Sequence, residues 1–427
     1  MRVLTYTSPA RGHLYPAVPI VAELAARGHR TAIVALAGEL EHLAGIGIEG
    51  WAIDPAVERV EIEDWRERSM PKAELSVLKT FARRARGEAP DLERAIARWS
   101  PDVIVIDVNC WGAATVAEAS GRPWAMYSPY LLPFRSREAP PFGLGLRPRD
   151  GVVGTLRDAI LGRLIAASFD RAAMPSINAL RGEHGLARLK RYGEVLERPP
   201  LMLALTAEGF EYPRSDWPAN VRLVGPTNWG PSPATPGSHT PSPPLAEQTP
   251  SPPPAEREPA WLAELADPLV LVTCSTERQR DKRLLHVALE ALPAAGISVI
   301  GTSAAHDPAI FAVPPGSRVE RFAAHEAILR RATCVVCHGG MGITQKALAA
   351  EVPVVVVPFG RDQLDTARRV EFARAGVRLS PRRLTPQRLL DAVREAWECR
   401  EGAGHVSRAY AQAGGLTAAA DAIEAIA

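Results

Sequence analysis

Cys334-Val-Val-Cys337-His338-Gly-Gly-Met-Gly-Ile-Thr344, running on into Gln345 to Ala350, reads as a strand, a glycine turn and the start of a helix. Working outward, Leu269–Thr273, Ile297–Ile300 and Val354–Val357 are further short apolar runs, separated by helical stretches. The first half of the chain repeats the theme. Arg2–Thr7, Thr31–Leu36 and Pro101–Asp107 read as strands, and Pro101–Asp107 is continuous enough to be a buried parallel strand. Between the first two, Val18, Val21, Leu24 and Ala25 recur at helical spacing, and Gly28 stands where such a helix stops. Alternation of this kind predicts an α/β protein: two doubly wound, Rossmann-like domains facing each other across a cleft. Ligands in such folds sit beyond the carboxyl ends of the strands, so the residues just after each strand carry the most weight.

The chain has 427 residues, which at about 150 per domain fits two or three domains. A composition of 46% hydrophobic, 23% charged and 6% aromatic residues excludes a disordered acidic protein and a collagen-like or coiled-coil chain. Fifty basic against 48 acidic residues leave a net charge of +2, no electrostatic case for nucleic acid as the main partner. Five scattered cysteines make no disulfide framework. The start reads as a strand rather than a signal peptide, and no run of about 18 apolar residues occurs; a cytoplasmic protein without a transmembrane segment is expected. The largest break in composition lies between Gly225 and Trp261. From Pro231 to Pro259 there is no aromatic residue and one leucine, Leu245, so an extended, mobile linker is expected, with an ordered proline-rich wrap as the alternative. This divides the chain into a first domain over 1–224, a linker over 225–260, a second domain over 261–404 and a C-terminal helix over 405–427.

The first strand ends in Ser8-Pro-Ala-Arg-Gly12, followed by His13; the absence of GxGxxG weakens a dehydrogenase reading. A lone histidine at a helix start is usually a structural hydrogen-bonding group. Asp107, however, ends a strand at the same sheet edge, and a carboxylate holding one imidazole nitrogen leaves the other free to take a proton from a hydroxyl. Asp107 as a cap for the helix starting near Trp111 is the competing reading. In the second half, Cys334-Val-Val-Cys337-His338 matches the haem attachment pattern CxxCH, but residues three apart in a strand point to opposite faces. Small buried cysteines account for it better. Gly339, Gly340 and Gly342 before a helix would expose backbone N–H groups and the positive end of the helix dipole to an anion such as a diphosphate, with His338 beside them and the Thr344 hydroxyl as a further donor. Glycine turns that bind nothing are also common. Ser275 and Thr276 add hydroxyls at the same edge. Asp362 and Gln363 form an acid–amide pair suited to sugar hydroxyls, or else a helix start. The chain contains no DxD and no histidine–glutamate cluster at metal spacing, so no metal is assigned.

These residues together resemble a known family. Gly12-His13-Leu-Tyr-Pro16 and the stretch from His338-Gly-Gly-Met-Gly through Pro358-Phe-Gly-Arg-Asp-Gln363 are similar to the GT-B-fold family 1 glycosyltransferases. The resemblance is to the bacterial natural-product type, similar to enzymes that glycosylate macrolides, enediynes and aromatic polyketides, and it covers nearly the whole chain. It implies an inverting transfer from a dTDP- or UDP-sugar as co-substrate, with no other cofactor. His13 matches the general base and Asp107 its orienting acid. Ser275, His338, Gly340 and Thr344 match contacts to the donor phosphates, Phe322 and Ala323 the segment against the base, and Asp362 and Gln363 the sugar-binding pair. Gly12, Trp111 and Phe134 fall on the acceptor side, and a C-terminal helix, Val406 to Ile426, is implied to cross back to the first domain. The partners implied are a nucleotide sugar and an apolar small molecule, with a homodimer left open.

Three departures stand out. Eight residues after His338 the family usually carries Glu, an acceptor for ribose hydroxyls; here Lys346 offers donors only, which favours a deoxyribose nucleotide such as dTDP. Glu351 stands where a helix-ending Gly is common, at a cost of roughly 1 kcal/mol if the position is left-handed. The proline-rich linker is longer than usual. The segment Phe134–Ala173, with Arg135, Arg137, Arg147 and Arg149, is expected to frame the acceptor site; alternatively, with Leu156, Ile160, Leu161, Leu164 and Ile165, it forms an amphipathic helix on a membrane surface. Rival functions are a nucleotide-sugar epimerase, a non-catalytic sugar-nucleotide-binding helper protein motivated by Lys346, and, last, a dehydrogenase.

Overall fold

The computed structural model describes residues 1–67, 69–149, 151–227 and 259–427; most of the stretch expected as a linker lies outside the described residues. Among the described residues, seven strands form one sheet: β1 (Arg2–Tyr6), β2 (Arg30–Ala35), β3 (Glu49–Ala52), β4 (Val103–Asp107), β5 (Trp124–Ser128), β6 (Leu201–Ala204) and β7 (Val221–Leu223). Their order is β3-β2-β1-β4-β5-β6-β7, with every pair parallel. A second sheet holds β8 (Leu269–Thr273), β9 (Ser298–Thr302), β10 (Ser317–Glu320), β11 (Ala332–Cys337), β12 (Val354–Val356) and β13 (Gly376–Arg378), also all parallel, in the order β10-β9-β8-β11-β12-β13. The two orders are the same over their first six positions: each sheet starts at a central strand, winds outward and then reverses. These are the two doubly wound domains that the alternation predicts.

Central strands such as β4 (VIVID) and β8 (LVLVT) are buried along their whole length, because helices cover both faces of each sheet. Cys334 packs on one face of the second sheet with Val270, Leu285 and Val393, and Cys337 on the other with Leu271, Ile328 and Val406. Residues three apart do diverge, as strand geometry requires, and both cysteines are ordinary core residues. β3, β5, β6, β7, β10 and β13 had no clear signal in the sequence; they are short or carry Trp, Tyr, Gly and Arg among their apolar residues.

The expected single helix at the C-terminus is two. Helix Arg400–Gln412 puts Val406 and Tyr410 into the second domain's core, and helix Gly415–Glu424 buries Ala419, Ala420 and Ile423 with Leu14 and Val18 of the first. Gly414 at φ +89° and Gly415 at φ +57° break the path between them, a conformation that glycine adopts without steric cost. Arg27 donates to Asp421 at 2.6 Å and to Glu424 at 3.0 Å, fastening the last helix to the first. Glu351 does sit in the left-handed region, at φ +59°. Helix Gly151–Glu183 leaves Val152, Val153, Leu156, Ile160 and Leu164 exposed along its first half.

The long helix Met70–Trp99 crosses the start of helix Trp111–Ala119 so closely that a Cβ on Gly112 would lie 1.9 Å from the Ala85 carbonyl oxygen. At this crossing the fully buried Glu88 accepts from the Gly112 N–H at 2.9 Å, and burial pushes its carboxyl up to about 8. An unfolded glutamate ionises near 4.3, so between about pH 4.3 and 8 the native chain binds a proton that the unfolded chain does not, and stability falls as pH rises through that window. Glu88→Gln is expected to flatten the decline in melting temperature between about pH 5 and 8; identical slopes for variant and wild type would mean that Glu88 is ionised in the native state.

Candidate functional site

In the first sheet the winding reverses between β1 and β4, so the segments following these neighbouring strands depart to opposite sides and leave a crevice. His13 stands in the first turn of helix Arg11–Ala26, after β1, and Asp107 is the last residue of β4. They meet there: His13 Nδ1 is 2.7 Å from Asp107 Oδ2. Asp107 has no exposed surface and is held by two further donors, the Tyr127 hydroxyl on Oδ2 at 3.2 Å and the Asn109 N–H on Oδ1 at 2.8 Å. Burial and the charge of Asp107 hold the Tyr127 phenol well above its usual range, so it stays a donor. A carboxylate beside Nδ1 requires the ring proton there, leaving the lone pair on Nε2. Asp107 does not cap the following helix: Cys110 is the residue at that cap. Gly12 is exposed, and a Cβ added to it would meet nothing within 4 Å.

The second sheet reverses between β8 and β11. After β8, Ser275 is buried; its N–H donates to Asp281 Oδ2 at 2.5 Å and its Oγ accepts from Glu277 N and Gln279 Nε2. Thr276 is exposed. One group of possible metal ligands converges among the described residues: Cys274, Asp281 and His306, with ligand atoms within 4.8 Å of one another. Both Asp281 oxygens already have partners, Ser275 N and, at 2.8 Å, His306 Nε2, so the group is knit as a hydrogen-bonded brace for the Ser275 loop.

After β11, Gly339 takes φ +95°, with a Cβ position only 2.7 Å from Val356 Cγ1, and Gly340 caps helix Met341–Ala349 without any side-chain bond to the helix N–H groups. The His338 ring lies against Gly340, where a Cβ would approach Nε2 to 2.5 Å. His338 is buried, and burial lowers its pKa, so the ring is neutral at neutral pH. Gly342 is exposed beside it. Thr344 is different from the expectation: it is fully buried, and its hydroxyl donates to the Gly340 carbonyl at 2.9 Å, so it shapes the turn from beneath.

Phe322 is half exposed, Ala323 next to it is half-buried, and the Arg11 guanidinium of the first domain lies 5.8 Å from the Phe322 ring centroid. Burial and the charge of Lys346 push the His325 imidazole down to about 3. Asp362 begins helix Gln363–Phe372 without capping it; burial raises its carboxyl, opposed by the charge of Arg361, and His13 faces it across the cleft. Gln363 is engaged at both ends: its Oε1 accepts from Phe359 N and Gly360 N, and its Nε2 donates to Gln279 at 2.7 Å. It ties the turn after β12 to the loop after β8. Trp111 and Phe134, expected on the acceptor side, are instead in the first domain's core. Trp111 is 1% exposed between Phe81 and Tyr192, and Phe134 packs edge-on to Trp217; aromatic surfaces of that size are better buried than wet.

Several site residues gave no usable signal. Asn109 and Tyr127 are two residues past and twenty beyond Asp107, and Tyr130 lies in an irregular segment. Asp64 is as hidden: it takes a two-pronged bond from Arg361 at 2.8 and 2.9 Å across the cleft. The motif-bearing positions could be found because glycines, His13 and Asp107 follow strands; these partners could not.

Residues 288–412 match the model of the erythromycin biosynthesis protein CIII-like C-terminal domain. Over its whole length the chain is 31% identical to 4'-demethylrebeccamycin synthase of Lentzea aerocolonigenes, across 450 aligned positions and 98% of that protein. It belongs to the bacterial natural-product glycosyltransferases. The fold agrees: the kitacinnamycin glycosyltransferase structure superposes with a TM-score of 0.71 at 22% identity, covering 100% of this chain and 98% of that one. Streptomyces sp. SF2575 glycosyltransferase SsfS6, solved with thymidine diphosphate, gives 0.69 at 20% identity over 100% and 99%.

For this glycosyltransferase the close packing of Gly340 on His338 makes a specific test. Gly340→Ala must move the His338 ring off the turn, and dTDP affinity measured by calorimetry is expected to fall about tenfold or more while the melting temperature changes by only a few degrees. Unchanged affinity would remove His338 and the turn from the binding site.

Proposed function

We propose that this enzyme is an inverting, metal-independent glycosyltransferase that moves a sugar from a dTDP- or UDP-sugar to a hydroxyl of an apolar small-molecule natural product. The observation that carries this reading is the 2.7 Å contact of His13 with the buried Asp107, on the crevice of the first sheet, with Nε2 left as the lone pair. The acceptor hydroxyl gives its proton to His13 Nε2 as its oxygen attacks the anomeric carbon, and the bond from that carbon to the diphosphate oxygen breaks. Asp107 remains ionised and stabilises the imidazolium. The diphosphate leaves with the bonding electron pair towards Gly339, Gly340, Gly342 and the N-terminus of helix Met341–Ala349, with Ser275, Thr276 and His338 beside it. Phe322 and Ala323 lie against the base, and Asp362 faces the sugar, its partner Gln363 fixing the turn behind it.

In this reading the first domain, 1–224, binds the acceptor and the second, 261–404, the donor. The SsfS6 complex with thymidine diphosphate supports a thymidine nucleotide as donor, as does Lys346, whose ammonium cannot accept from a ribose hydroxyl. The product in the relative's name, 4'-demethylrebeccamycin, supports a natural-product acceptor.

Two measurements test the reading. Calorimetric titration should give binding of dTDP or UDP and none of NAD, with Lys346→Glu eroding any preference for dTDP; no binding of either diphosphate at about millimolar concentration defeats the donor site. His13→Ala is expected to lower turnover at least about a hundredfold with donor affinity kept. Near-normal turnover would eliminate His13 as the base.

A further inference from the structure

Asn109 is not accounted for by the dyad. Its side chain lies against the one ring nitrogen that Asp107 leaves free: Asn109 Nδ2 is 3.3 Å from His13 Nε2. A third group orients the amide. The Tyr130 hydroxyl donates to Asn109 Oδ1 at 2.7 Å, which turns the NH2 end towards the imidazole. Tyr130 also packs its ring edge-on to His13, with centroids 5.7 Å apart. Asn109 is 5% exposed and its backbone N–H donates to Asp107, so both its main chain and its side-chain amide are fixed.

An amide NH2 only donates, so it pairs with Nε2 only when that nitrogen carries the lone pair. Asp107, on the other side, requires a proton on Nδ1. The two contacts therefore select the same tautomer, but they act oppositely on charge: Asp107 favours the imidazolium, and the Asn109 hydrogens oppose a proton on Nε2. We propose that Asn109, held by Tyr130, is a positioning residue that keeps His13 a neutral base and holds the place of the acceptor hydroxyl at Nε2. The lengths fit displacement. At 3.3 Å the Asn109 contact is the weaker of the two on the ring and yields first to an incoming hydroxyl, while the 2.7 Å bond to Asp107 keeps the ring in place. This inference rests on the reading of His13 as the base.

The groups that face His13 are Asp107 from β4, Tyr127 from β5, Tyr130 and, across the cleft, Asp362; Glu88 and Arg84 lie behind Asp107. All stay unchanged in the decisive variants except Tyr130. The test is the pH titration of imidazole nitrogens in the full chain labelled with 15N-histidine, with His13→Gln identifying the signals. In Asn109→Asp the midpoint at which Nε2 gains its proton is expected to rise by about one pH unit over wild type, with Asn109→Ala and Tyr130→Phe rising less, in that order. Midpoints within about 0.2 unit of wild type in all three variants overturn the proposal. Tyr130→Phe leaves Asn109 in place and keeps the test open if an Asn109 variant does not fold. In turnover the loss should be greatest at low pH and shrink as pH rises; an equal loss at every pH means a merely structural role. The titration needs no acceptor, so its failure is distinguishable from failure of the glycosyl-transfer reading, which would abolish turnover in wild type as well.

Discussion

The buried carboxylate of Asp107 is the constraint around which the first domain is arranged. An ion with no exposed surface is stable only if donors replace the water it has lost. Asp107 has three, and each comes from a different part of the chain: His13 after β1, Asn109 in the turn after β4, and Tyr127 inside β5. The doubly wound order makes this convergence possible, since β4 lies between β1 and β5. The same satisfaction that stabilises the charge fixes the imidazole plane. Pre-organisation of the proposed base and tolerance of a buried carboxylate are therefore one requirement rather than two.

The proposed base on one sheet is useful only if the other sheet is held at a constant distance, and the contacts between the domains meet that need. Arg369 pairs with Glu211 at 2.7 Å, both almost fully buried, with its guanidinium 4.4 Å from the Tyr212 ring centroid. Gln345 donates to the Leu205 carbonyl at 2.6 Å from within helix Met341–Ala349, the helix that starts at the glycine turn. Arg361 grips Asp64 directly beside Asp362. Loss of one partner from a buried pair typically costs about 3–5 kcal/mol, whereas an exposed pair contributes about 1 kcal/mol or less. The buried contacts thus set the cleft, and surface pairs such as Arg147 with Glu371 add little to it.

How much of this could be read from the sequence depends on burial and on distance along the chain. Strands buried on both faces, such as β4 and β8, declare themselves as apolar runs, and a parallel α/β fold results from their alternation with helices. The meeting of His13 with Asp107 and the glycine turn were legible because both follow strands, where glycine and polar residues break the apolar pattern. Thr344 was placed correctly along the chain, but the direction of its hydroxyl depends on a rotamer that its neighbours decide. Trp111 and Phe134 show the same limit: an aromatic residue after a strand suits a core as well as a ligand, and only burial separates the two. Asn109, Tyr130 and Asp64 act through contacts 21 to 297 residues away, and no local pattern encodes such partners.

The two crevices have the same topology and opposite electrostatics. In the first, the buried Asp107 beside the His13 ring forms the place where the proposed reaction puts a proton. In the second, the uncapped N-terminus of helix Met341–Ala349 and glycines without side chains offer the positive end of a helix dipole, where the proposed reaction puts an anion. His338 lies against that turn without bringing a charge, since burial keeps its ring neutral. Transfer of a sugar from a diphosphate to a hydroxyl, as proposed for this enzyme, releases one proton and one anionic leaving group on opposite sides of the reacting carbon. In that reaction, two sheets of one winding, facing each other and differing in the residues after their first and fourth strands, would separate those two charges without any group having to change place.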